Sequence, residues 1–480
     1  MEPKPYSVSR EADHIFCEHL LKDKQLRIPE KISAALWALA TTFGNAIVRE
    51  RFGVSQTACI NADIASLFVM SVIIATVDEK PVYHPEIIPR LHRDNRFFHL
   101  HDSLNAGKSL TMLSLPLSND MASSREDMFQ TYASKVVEFD ADWLDSEANE
   151  HWRQAGIVCL TENEFRASAQ GQAIQNDGLY LIQPSDVGIL APVPYPNVKD
   201  ASHRSLQGLR LLGLSRPDVR LLLLEGNLGK RDASIDLKSE WGRQTFRQLI
   251  LDADIMLDGY WPGALERLGF GESYIRILAR RRERGITVVR ENCYRWHGPL
   301  VSRSGWQQIS DCFTGVSWGM GQSIGLEEPI VPPLPNSDYQ TGNLGLIGIL
   351  TVVDRRANEG GSYTVSISLN QTNQFITSLG KLSTEVQVSL RALYLDFARR
   401  RLDEMMALVV KYVQAARVNM PTLSRSEYFD QKGCNFYHPE RKLETLRFPT
   451  PPAKLDVTAI GYDIGSCLQN VYTPEWPART

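Results

Sequence analysis

Two rhythms of apolar and polar positions run through the middle of the chain. Residues 205–215 (SLQGLRLLGLS) and 219–226 (VRLLLLEG) are compact apolar runs that read as strands. Residues 239–254 (SEWGRQTFRQLILDAD) change rhythm: Phe246, Leu249 and Ile250 fall at helical spacing, and Ser239 suits an N-cap. Residues 254–260 (DIMLDGY) and 285–292 (GITVVREN) predict two more strands. Between them, PGALERLGFG opens on Pro262 and closes on glycines, as a brief helix would. Strand, helix, strand, helix, strand is the grammar of an α/β sheet.

Further along, EEPIVPPLPNSD reads as a proline-rich linker or ordered loop. TGNLGLIGILTVVDRR predicts a glycine-rich helix, GGSYTVSISLN alternates like a strand, and residues 381–418 are helical in pattern. FPTPPAKLD breaks that pattern, and the last residues are irregular. The most apolar helix, residues 64–77, is too short to span a bilayer and reads as buried.

Part of the first half matches the second when shifted by 307 positions. Arg49, Gly53, Ser55, Thr57, Ile60, Phe68 and Ser71 fall on Arg356, Gly360, Ser362, Thr364, Ile367, Phe375 and Ser378. We read this as a partial internal repeat whose first copy begins near Pro29 without a clear βαβ portion. The expected division is a tail at 1–28, a degenerate repeat at 29–203 and a main repeat at 204–480. A length of 480 residues agrees with more than one core.

Composition removes several classes of function. A net charge of -4 without a basic block gives no reason to expect nucleic acid or a membrane surface as partner. Seven cysteines without a CxxC pair fit reduced thiols in a cytoplasmic protein, and neither a disulfide framework nor a zinc site. The polar start, MEPKPYSVSREAD, lacks a signal-peptide core. His99 and His101 share one face of a short strand in FHLHD, but no third ligand follows, so no metal is expected.

Residues 229–271 carry an R-x-x-x-x-DLK strand, a helix, a DAD strand and a PGALERLG turn. Together with PPLPNSDYQTGNLGLIGILTVVDRR and GGSYTVSISLN, they resemble the family III CoA-transferases, which include carnitine-CoA transferases and 2-methylacyl-CoA racemases. The resemblance is good over about residues 205–400. It implies an open Rossmann-like α/β sheet domain with a smaller domain, usually as two interlocked rings. It also implies acyl-CoA chemistry at a carboxylate, expected where this chain has Gln307 in RSGWQQISDCFTG.

Three departures bear on that chemistry. An amide at Gln307 is neither a base near neutral pH nor a good nucleophile. Only Arg216 and Pro217 separate GLRLLGLS from DVRLLLLEG, too few for the parallel crossover that helps hold the coenzyme. Trp261 stands where relatives carry a cation beside the nucleotide.

Candidate site residues therefore centre on the Gln307 stretch. His297 is a candidate acid or base, or a plain hydrogen-bonded loop histidine. Asp311, one turn after Gln307, is a candidate substitute acid, or a carboxylate serving local backbone. Tyr294, Trp306, Trp261 and Trp318 are candidate pocket walls, with core packing as the competing role; Trp296 lies in the same loop. Asp338 and Tyr339 are candidate pocket residues, with Asn336 or Asp338 as the N-cap alternative.

The departures favour a repurposed enzyme that works without coenzyme A. Its expected substrate is a small, largely apolar metabolite of specialised metabolism. Isomerisation, elimination or cyclisation, pericyclic reactions included, suits a shaped pocket with a few polarising hydrogen bonds. The alternative is acyl-CoA transfer or 2-methylacyl-CoA racemisation through His297 and Asp311, the one reading that needs coenzyme A. A third reading is a non-catalytic pseudoenzyme that binds a partner. The expected assembly is a homodimer or an intramolecular pseudo-dimer.

Overall fold

The computed structural model describes residues 29–81, 98–101, 106–117, 131, 134–197, 204–214, 224–393, 405–434, 444–467 and 470–477. The tail at 1–28 lies outside the described residues. In chain order, the elements that position the site are α1 (Pro29–Phe52), β1 (Ala58–Ile60), α2 (Ala62–Ile74), β2 (Phe98–His101), β3 (Ala155–Val158), β4 (Leu181–Ser185), β5 (Leu211–Leu214) and α3 (Glu240–Asp252). They continue with β6 (Ile255–Asp258), β7 (Thr287–Glu291), α4 (Gln307–Phe313), α5 (Asn336–Glu359), β8 (Ser362–Ile367), α6 (Leu369–Ser378) and β9 (Ala453–Leu455).

The fold is α/β. Among the described residues the main sheet has five strands in the order β4-β8-β7-β6-β5. β5 to β8 run parallel and β4 closes one edge antiparallel. The register aligns Leu214, Asp258, Arg290 and Ser366 across the parallel strands. Glu291 and Ile367 therefore lie at the carboxyl edge, where open α/β sheets bind ligands. β8 is buried at every position, which explains its continuous apolar and small-residue run. α3 begins as expected: the Ser239 hydroxyl accepts from the Gly242 amide at 3.0 Å, and Phe246, Leu249 and Ile250 are buried.

Some local expectations change. VRLLLLEG is not a strand in its described part, because residues 224–226 are helical and the sheet ends at β5. The two residues after the first run are too few to return the chain parallel, in keeping with the helical residues 224–226. Residues 231–238, the DLK segment, form no strand. Within 381–418 the described helices are Thr384–Leu393 and Met405–Asn419, and residues 394–404 lie outside the described residues.

The 307-residue shift reappears in the geometry. α1 and α5 are each 24 residues long and begin and end at that same offset. α2 and α6 also begin at it, and β1 falls within the shifted span of β8. The copies then part: β8 joins the parallel sheet, whereas β1 pairs antiparallel with β9. The C-terminal strands Phe429–Cys434 and Glu444–Pro449 build a second sheet with Thr76–Val77 and Lys80–Pro81 of the first half.

A clamp ties the amino edge of the parallel sheet. Asp254, fully buried before β6, accepts from the Arg210 amide at 3.0 Å and from Arg284. Arg356, near the end of α5, donates to the Asp254 carboxylate at 3.1 Å and to its carbonyl at 3.0 Å. Removing this carboxylate leaves buried guanidinium charge uncompensated. Asp254→Ala should therefore lower unfolding free energy by about 3–5 kcal/mol in urea titration. A loss below about 1 kcal/mol would mean that the arginines are satisfied without it.

Candidate active site

The RSGWQQISDCFTG stretch is held by two glycines that tolerate nothing larger. A Cβ on Gly305 would lie 2.6 Å from Cys293 Sγ, and one on Gly315, at φ 87°, would lie 2.3 Å from the Glu162 amide nitrogen. Between them α4 begins at Gln307 with Trp306 as its N-cap.

Gln307 and Asp311 share a face, as their spacing predicts, and the face is inward. Gln307 is 4% exposed and donates its amide to Asp311. Asp311 is 2% exposed and also accepts from Asn373 Nδ2 at 2.9 Å and Ser337 Oγ at 3.2 Å. Asn373 further donates to Ser310 Oγ at 2.9 Å, and Ser310 donates to Asn370 at 2.8 Å. Burial pushes the Asp311 carboxyl up to about 6, against the pull of its three donors. This network locks α4 to α5 and α6. With both oxygens engaged, Asp311 is poorly placed to replace a lost acid, and Gln307 serves the network rather than an open pocket.

The aromatic candidates separate. Trp306 stacks on His101 of β2, with centroids 4.7 Å apart and planes at 6°. Trp261 meets Trp306 edge-on at 6.0 Å and is 37% exposed, so these rings form a wall that reaches solvent. Tyr294 is instead fully buried against Phe313 at 5.7 Å. Trp318 packs in the same core cluster and donates its indole N–H to the Cys159 carbonyl at 3.1 Å. Trp296 donates to the Ile367 carbonyl at 3.3 Å, under the Arg290 guanidinium. The rings of Tyr294 and Trp318 fill core, the role that competed with pocket lining.

His297 contacts the Ala173 carbonyl at 3.1 Å and Asp177 at 3.3 Å, and shares no partner with Gln307 or Asp311. Tyr339 turns toward the first half: its hydroxyl bonds Glu225 and Ser71, and its ring meets Phe68 edge-on at 4.9 Å. His99 is buried beside His101 on β2.

Asp338 is different. α5 starts at Asn336 with Pro335 as N-cap and no side-chain cap bond, so neither Asn336 nor Asp338 caps it. Asp338 sits in the first turn with its side chain exposed. Glu291, which the sequence reading missed, is exposed at the end of β7. Both residues are exposed at the surface, yet protein atoms crowd their carboxyl groups. That crowding pushes Glu291 up to about 6. It raises Asp338 well above the usual carboxylate range, with the charges of Glu291 and Asp311 adding to the rise. Asp258, at the end of neighbouring β6, is also pushed up to about 6 by burial. The signal for Glu291 was available: a charged residue ending a parallel strand points to the ligand edge.

A sequence description of CoA-transferase family III matches residues 209–381, which hold β5 to β8, α4, α5 and both open carboxylates. The acetyl-coenzyme A transferase nodX of Hypoxylon pulicicidum is 33% identical over 94% of this chain and 86% of that protein. The chain belongs to CoA-transferase family III. An acyl-CoA transferase of Gibberella moniliformis is 28% identical over 75% of this family member and 72% of its own length. The alpha subunit of a succinyl-CoA–L-malate CoA-transferase from Chloroflexus aurantiacus is 26% identical over 32% of this chain and 35% of its own. These names point to acyl-CoA transfer rather than to a coenzyme-free cyclase, isomerase or lyase. No described helix of this family III member is long and apolar enough to cross a membrane.

The Asp311 network carries a pH signature. Its folded-state value lies above the unfolded one, so the folded state holds the proton more tightly. The stabilisation is fully present below the model-compound value of 3.8 and is lost as pH rises through about 6. Between about pH 4 and about pH 7, the wild-type chain should lose roughly 1–3 kcal/mol more stability than Asp311→Asn in urea unfolding. Parallel pH profiles for the two proteins would show that Asp311 does not titrate in this way.

Proposed function

We propose that this chain is an acyl-CoA transferase and that Asp338 carries the acyl group. The observation behind this reading is a carboxylate with an open face in the first turn of a long helix, at the ligand edge of a parallel sheet. The helix dipole favours an anion there by about 0.3–1 kcal/mol, but crowding outweighs it and the carboxyl rises. A carboxylate that is poorly stabilised as an anion is the more reactive nucleophile.

In this reading Asp338, which its raised value leaves largely protonated near neutral pH, first gives its proton to solvent, and the carboxylate oxygen then attacks the thioester carbonyl. The tetrahedral adduct collapses, the C–S bond breaks and coenzyme A leaves as thiolate. The product is an acyl–aspartyl anhydride. An acceptor nucleophile then attacks the acyl carbonyl and releases the Asp338 carboxylate. Trp261 and Trp306 offer flat apolar surface for the acyl group or the adenine ring. The case for coenzyme-free chemistry rested on a missing acid at Gln307, and Asp338 removes that reason. Among the described residues no strand lies beyond β5 to help hold the nucleotide, so binding of acyl-CoA is the discriminating measurement.

Incubation with acetyl-CoA followed by peptide mapping should find an acetyl adduct on the Asp338 peptide. Asp338→Asn should abolish the adduct and lower kcat by about a thousandfold or more. An unlabelled Asp338 together with full turnover in the variant would sink the assignment. Trp306→Ala should weaken acyl-CoA binding by roughly 1–3 kcal/mol in calorimetric titration. No measurable heat with the wild-type protein would return the function to coenzyme-free chemistry.

A further inference from the structure

We propose that the first half of the chain stands where a second subunit would stand, and that it completes the active site of the same chain through His101. Three independent observations lead there. First, α1 and α5 have equal length and lie at the same 307-residue offset as the sequence repeat. Secondly, the two copies pack through equivalent faces. Ala40 and Phe43 of α1 and their counterparts Ile347 and Leu350 of α5 all belong to one buried cluster. Corresponding residues also pack around this contact. Phe68 of α2 touches Tyr339 of α5, while its counterpart Phe375 packs on the cluster that holds Ile32, the counterpart of Tyr339. A patch that meets its own equivalent is the signature of an isologous, two-fold contact, here written into one polypeptide.

Thirdly, the first half reaches the site of the second. His101 stacks on Trp306, one residue before α4, and Trp306 in turn meets the exposed Trp261. Ser71 bonds Tyr339 at 2.9 Å, next to Asp338 in sequence. The converse service is not rendered. Counting back 307 positions from Asp338 gives Lys31, and β1 pairs with β9 instead of entering a parallel sheet. One copy has the carboxylate and the sheet edge; the other supplies a wall. Among the described residues the two copies thus share one site, assembled in cis. His101 is a positioning residue that sets the angle of the Trp306 ring.

The assembly can be tested without any assay of activity. Glu50 and Asn358 touch across the two copies at 3.3 Å, and both are exposed. In full-length protein carrying Cys59→Ser to remove an exposed thiol, Glu50→Cys with Asn358→Cys is treated with a short bis-maleimide. The expected product has the mass of a single chain, with a link between the peptides that carry positions 50 and 358. A covalent dimer joined through those positions, or no link, overturns the proposal. The functional arm rests on the acyl-CoA transferase reading. His101→Ala should raise KM for acetyl-CoA about two- to tenfold with kcat nearly unchanged, and His101→Phe should restore it by keeping the stack. An unchanged KM in His101→Ala overturns the role of His101. If the link forms within one chain but no acetyl-CoA turnover is found, the reaction assignment fails and the cis assembly stands.

Discussion

Everything at the ligand edge of the sheet depends on what holds its other edge. Asp254 gathers the Arg210 amide, Arg284 and Arg356 at one buried point. Those partners come from the start of β5, the approach to β7 and the end of α5. Arg282 adds hydrogen bonds to the carbonyls of Ile250, Leu251 and Ala253, the last turn of α3 and the residue after it. An ion cluster out of water is worth little as raw stability, because desolvation cancels most of the attraction. Its value here is geometric. It sets the relative height of three parallel strands and one long helix, and so decides where Asp338 and Glu291 emerge.

Burial sorts the carboxylates of this region into two kinds. Asp311 is surrounded by three donors and cannot turn away without stranding them. Asp338 and Glu291 have open faces and crowded flanks, so their charge is costly. The first kind fixes a register between helices. The second kind keeps a raised proton affinity at the carboxyl edge of the sheet. Residue type alone does not distinguish them; the number of donors within reach does.

The parallel sheet and α3 were legible because their patterns are local: a short apolar run, a serine cap, a stripe at helical spacing. The equal lengths and offset of α1 and α5 agree with the spacing seen in the sequence. The second apolar run misled, because its leucines bury just as well in a helix as in a strand, and only the two-residue gap argued against pairing. Tyr294 and Trp318 misled for a related reason: an aromatic near a glycine-framed loop looks the same whether it faces a ligand or the core. Gln307 drew attention as a vacancy, although its amide has a structural task. Asp338 reads from the sequence both as a pocket residue and as an N-cap, with nothing local to choose between them, and Glu291 is hidden inside a strand pattern. Their roles depend on which side chains crowd them from distant segments, and no local pattern records that.

The α1–α5 contact has a consequence for how the molecule comes into being. Two free subunits with such an interface separate on dilution, and their stability cannot be stated apart from concentration. Two copies on one chain meet at an effective concentration set by the intervening polypeptide. Their pairing is therefore a step of folding, and a late one, because helices so far apart in sequence must close a very long loop before either is rewarded by burial. Until then each presents an apolar face to water, which makes the interval before the halves meet the time at which the chain is most exposed to aggregation.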